Sequence, residues 1–95
     1  MNAIKEVEVV EKENIKFLTF SKDEVLGKKD EQLNRILDLK RALSLGNLEK
    51  EKVKIIFVDD TGLKMVETTI WGLTDKSVIL KKATIIPLQR ILGVA

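Results

Sequence analysis

The second half of the chain constrains the fold most. After Leu48 the apolar residues fall into short period-two segments separated by turn residues. Val53-Lys54-Ile55-Ile56-Phe57-Val58, Lys64 to Trp71, Ser77 to Lys81, Thr84 to Ile86 and Arg90 to Val94 all read as strands. Asp59-Asp60-Thr61-Gly62 reads as a turn in which aspartates cap local amides and Gly62 is free to take a positive φ. Gly72 to Lys76 turns the chain again, and Lys82-Ala83 joins two strands tightly. Pro87 cannot donate to a sheet ladder, so it marks a bend or a short 3₁₀ turn. Strands this short with tight turns predict a mainly β (α+β) fold built as a small closed or nearly closed antiparallel barrel. Closure would remove the exposed edges of an open meander.

Ahead of the strands the period changes. Leu33, Ile36, Leu37, Leu39, Ala42 and Leu43 are spaced at three and four, which predicts one helix over about residues 29–45. Lys40 and Arg41 lie toward its expected end, and Gly46-Asn47 is the expected left-handed stop. Leu39, Leu43 and Leu45 widen the apolar stripe, enough to cover a barrel mouth or to meet a second subunit. Ser21-Lys22-Asp23-Glu24 matches a capping box, so residues 21–46 form a helical segment. Residues 3–10 and 15–20 are strand candidates flanking the polar break Glu11-Lys12-Glu13-Asn14. Residues 1–20 therefore read either as a hairpin or as a mobile arm. Residues 1–95 as a whole read as one domain, with the meander over 52–95.

Composition excludes several chemistries. The chain has no Cys, His or Tyr, so thiolate catalysis, disulfides, zinc fingers and His-dependent triads or metal sites are ruled out. Its five glycines stand singly, which is turn spacing and not a phosphate-cradling loop. Charged residues interrupt the first ten positions, so no secretory leader is expected there, and no apolar run approaches the ~20 residues a spanning helix needs. A cytoplasmic location is the default expectation, with no cofactor, no membrane and no small-molecule substrate evident.

Net charge is only +2, but its distribution is uneven: residues 1–52 carry eleven basic and eleven acidic side chains, whereas 53–95 carry six against four. Lys64, Lys76, Lys81, Lys82 and Arg90, with the single Trp71, form the candidate nucleic-acid-binding set, in which Trp71 would stack on a base. Strand alternation puts Trp71 on the side of Met65, Glu67 and Thr69. Lys64, Val66, Thr68 and Ile70 share the other side, which looks like the core. The alternative for Trp71 is a cap on the barrel or on the helix, and for the lysines solvated hairpin tips. Asp59, Asp60 and Glu67 could gather around a divalent cation, but a turn explains the two aspartates better. Thr68-Thr69 is a β-branched pair that suits a strand.

The stretch from Val66-Glu67-Thr68-Thr69-Ile70-Trp71 through Ile86-Pro87-Leu88-Gln89-Arg90-Ile91 resembles a small family of uncharacterised bacterial proteins with an ETT[IV]W strand and an IPxxRI segment. The resemblance covers roughly residues 66–95. More loosely, an apolar-Pro-x-x-Arg-Ile turn into a last strand is similar to SH3-like, Sm-like and bacterial PH-like barrels. That resemblance implies an SH3/Sm-like barrel preceded by one helix, and it carries no activity with it. The expected function is a non-enzymatic binding module whose partner is RNA or another nucleic acid. The alternative is a protein–protein module that forms a homo-oligomer through its helix.

Overall fold

The computed structural model describes residues 7–49 and 51–95. It is an α+β fold with one long helix and two mainly antiparallel sheets. The elements are β1 (Glu8–Val9), α1 (Lys29–Glu49), β2 (Val53–Asp59), β3 (Gly62–Thr68), β4 (Ile70–Leu73), β5 (Ser77–Leu80), β6 (Thr84–Pro87) and β7 (Ile91–Val94). The first sheet runs β1-β3-β2-β7, with only β1 parallel to its neighbour, and the second runs β4-β5-β6.

One stretch of chain belongs to both sheets. Lys64, Val66, Thr68 and Ile70 are all buried, so a single alternation continues from β3 into β4 and passes from one sheet to the other at Thr69. Between the sheets lie Ile55, Phe57, Val66, Ile70, Val78, Leu80, Ile86 and Ile91, joined by Leu39 and Ala42 of α1. Phe20 packs on Phe57 with ring centroids 6.0 Å apart.

The two ladders do not close into a barrel. Pro87 lacks an N–H, and a 3₁₀ turn over Leu88–Arg90 separates β6 from β7. β7 then pairs with β2 instead of continuing the β6 ladder.

The N-terminal hairpin does not form. β1 joins β3 as a two-residue parallel edge strand, and Lys12–Phe17 is a 3₁₀ helix. The polar break supplies the reason. Asn14 N–H bonds to Glu11 O and Leu18 N–H to Ile15 O, and these local turns insert Ile15 into the core. Phe17 is left 74% exposed. The expectations for residues 1–6 lie outside the described residues.

The capping box does not form either. Ser21 Oγ accepts from Asp23 N–H and Glu24 from Leu26 N–H, while the Glu24 carboxylate is engaged by Arg35. Residues 21–28 are therefore an irregular strap.

The helix runs past its expected stop, and Gly46 lies inside it, buried. A Cβ at Gly46 would sit 2.9 Å from Thr69 Cγ2 and 3.2 Å from Ile70 O. The glycine thus serves close approach of helix to strand, not a left-handed cap. Lys40 and Arg41 are consequently mid-helix, and the last turn carries no basic residue.

The buried helix face is Arg35, Leu39, Ala42 and Gly46, so Leu33, Leu37 and Leu48 face outward. No helix among the described residues is long and apolar enough to cross a membrane.

Replacing a mid-helix glycine by alanine ordinarily stabilises by about 1 kcal/mol. Overpacking a tight contact costs about 1–3 kcal/mol. Gly46→Ala should therefore lower the urea-unfolding free energy by about 1 kcal/mol, and a gain in stability would contradict the close approach.

Candidate nucleic-acid interface

Trp71 reaches solvent because of the strand geometry around it. Ile70 pairs with Leu80, but Gly72 pairs with Ile79, so two steps along β4 match one along β5. Trp71 is the extra residue of this β-bulge. Bulges bend a strand and re-aim a side chain. Trp71 is 58% exposed.

It borders a groove of about 670 Å³ whose other walls include Lys12, Lys52, Thr68, Thr69 and Lys81. Gly46 also lines this groove, so the helix contact at the strand crossing also shapes the groove. No carboxylate is among the described lining residues, although Lys12 Nζ pairs with Glu13 Oε1 at 3.1 Å from outside the groove. An exposed indole flanked by three lysines offers a π face and point charges for phosphate.

The structure divides the six residues singled out from the sequence. Trp71 and Lys81 share the groove, and exposed Lys82 stands at the adjacent β5–β6 tip in a left-handed backbone conformation, with φ 62° and ψ 33°. Lys76 is exposed but lies in the β4–β5 turn at the other end of β5. It belongs there to a shallower recess of about 440 Å³ that includes Glu24, Gln32 and Arg35.

Lys64 and Arg90 are buried and engaged. Lys64 Nζ donates to Thr61 Oγ1 at 2.7 Å and pairs with Asp59 at 3.1 Å and Glu8 at 3.3 Å. Arg90 Nε donates to Val58 O and Nη1 to Asp23 O, both at 3.0 Å, tying the 21–28 strap to β2.

Asp59 serves the turn. Its Oδ1 accepts from Thr61 N–H, Thr61 Oγ1 and Gly62 N–H. Gly62 holds φ at +141°, which only glycine adopts without strain.

A larger recess of about 850 Å³ is lined by Val7, Val25, Val58, Leu63 and Leu92. Its two charges, Glu8 and Lys64, pair with each other, so it offers no free charge to an ionic ligand.

Lys12, Lys52 and Gly46 were missed from the sequence. Lys12 lies in the polar break Glu11 to Asn14, and its position depends on the 3₁₀ turn. Lys52 arrives through tertiary placement, for which the sequence holds no local signal.

The strap and turn set the response to pH. Arg35 donates from Nη1 and Nη2 to the two oxygens of Glu24, each at 2.7 Å, and also from Nη1 to Ile91 O at 3.0 Å. The Arg35 hydrogen bonds hold the Glu24 carboxyl below its usual range, against the opposing effect of partial burial. Burial pushes Asp59 up, but bonds from Lys64 and Thr61 outweigh it and leave Asp59 lowered. Burial likewise pushes Lys64 down, and its bonds to Asp59 and Glu8 outweigh that to raise it.

Lowered carboxylates stabilise the fold above their unfolded value of about 4, and that contribution is lost as pH falls through the folded value. The raised lysine contributes fully below about 10.4, and its contribution is lost as pH rises through its folded value. Glu24→Gln should therefore cost about 2 kcal/mol at pH 7, less than the loss of a fully buried partner because the Glu24 side chain is 32% exposed. Chemical denaturation should show the wild-type advantage shrinking below pH 4. An advantage that persists undiminished in acid would contradict the role of the Glu24 charge.

Comparison with models of protein families, with curated proteins and with solved structures finds no match, so the functional reading rests on the geometry of this chain alone.

Proposed function

We propose that this chain is a non-enzymatic binding module for single-stranded RNA, with Trp71 stacking on a base and Lys12, Lys52, Lys81 and Lys82 meeting phosphates. The observation that carries the reading is an exposed indole, at a β-bulge, on a groove bordered by lysines and with no carboxylate among its described lining residues. An indole packed into the core would give no such platform, and lysines at scattered hairpin tips would not converge on it. Single-stranded ligands suit the site because unstacked bases present their faces to an aromatic side chain, whereas bases in a duplex do not.

We also read the strand order as an open form of the SH3/Sm-like arrangement. A meander follows one helix, a 3₁₀ turn precedes the last strand, and that strand returns to pair with the first strand of the meander.

The reading makes the two ends of β5 unequal. Lys81→Glu/Lys82→Glu should weaken binding of a labelled eight-residue oligouridylate by roughly one to two orders of magnitude at low salt, measured by fluorescence anisotropy. Lys76→Glu, at the opposite end, should leave binding within about twofold. Equal losses from both variants would mean that only overall charge matters. No loss from the first variant would overturn the reading.

A further inference from the structure

The Trp71 groove has a neighbour. A smaller recess of about 180 Å³ is lined by Lys12, Glu13, Lys16, Lys81, Lys82 and Thr84. Lys12 and Lys81 line both, so the recess and the groove adjoin at these two side chains. The 3₁₀ helix Lys12–Phe17 packs on β6 through this region, and Ile15 fixes it there by entering the core. At the end of the same 3₁₀ helix stands Phe17, 74% exposed, with Lys16 Nζ 5.2 Å from its ring centroid. A lysine beside an exposed aromatic ring brings together the two groups that also meet at the Trp71 groove.

We propose that Phe17 is a second stacking platform. In this view the groove and the recess form one track for a single RNA strand, with Trp71 at one end and Phe17 at the other. Lys12 and Lys81 then serve the phosphates between the two platforms, and Lys16 and Lys82 those beside Phe17. Glu13 is the one carboxylate lining the recess, and its Oε1 lies 3.1 Å from Lys12 Nζ. In the free protein it occupies a position a phosphate would take, so entry of the strand requires that pair to open. The inference deepens the single-strand RNA reading and rests on it. It adds a length requirement: a ligand too short to span the track reaches only one platform.

The test compares uridylyl-uridine with an eight-residue oligouridylate, with quenching of Trp71 as the readout, in wild type and in Phe17→Ala. Phe17 is exposed, so its removal leaves the core intact. Wild type should bind the longer ligand at least tenfold more tightly than the dinucleotide. Phe17→Ala should lose about tenfold for the longer ligand and nothing for the dinucleotide. Equal affinity of the two proteins for the longer ligand would overturn the second platform while leaving the Trp71 site standing. Absence of quenching by either ligand in the wild type would overturn both the platform and the RNA reading.

Discussion

The closest constraint in this fold is the contact of the α1 backbone at Gly46 with Thr69 and Ile70, where a single added carbon would meet its neighbours at 2.9 and 3.2 Å. At that point the chain passes from the first sheet to the second. There α1 continues through Gly46 and packs on β4, the strand that carries the bulge. Trp71 is the unpaired residue of that bulge, on the outward side of the alternation. The indole and Gly46 both line the groove, so the helix contact and the exposed side chain meet at one place.

Basic residues do two separate kinds of work. Arg35, Arg90 and Lys64 are buried, and each is held by carboxylates or backbone carbonyls that tie the 21–28 strap, the Asp59 turn and the last strands together. Burying a cation is costly unless its donors are met, and here most of them are; among the described residues Arg35 Nε is the buried side-chain donor without a partner. Lys52, Lys81 and Lys82 are exposed, and with the half-buried Lys12 they gather on the Trp71 side. A net charge of +2 conceals this division between cations held inside the fold and lysines exposed on one face.

The strand meander, the main helix and the 3₁₀ turn after Pro87 were legible in the sequence because each is marked locally, by period or by a residue with one conformational option. Whether Trp71 packed as a cap or stood exposed was not legible, but the side of the strand it takes was, from alternation. So was the inward direction of Lys64, since it shares parity with Val66 and Ile70, although charge had nominated it for a ligand. What stayed hidden depends on contacts between distant segments. Glu24 is recruited by Arg35 and so abandons its capping box. Gly46 reads as a helix stop until the strand beside it is known. Ile15 to Phe20 alternates well enough for a strand, but burial of Ile15 through a 3₁₀ turn wins because it fills the core beside β6.

The central claim is that Trp71 is an accessible platform among lysines, and the salt dependence of its own fluorescence tests this most directly. Titration of wild-type protein with an oligouridylate at several salt concentrations should give saturable quenching of a red-shifted, solvent-exposed emission. The logarithm of the binding constant should fall against the logarithm of salt with a slope of about −2 to −3, the value for roughly three or four phosphates neutralised on a single strand. A blue-shifted emission that does not respond to RNA at any salt concentration would place Trp71 in an apolar environment and contradict the account.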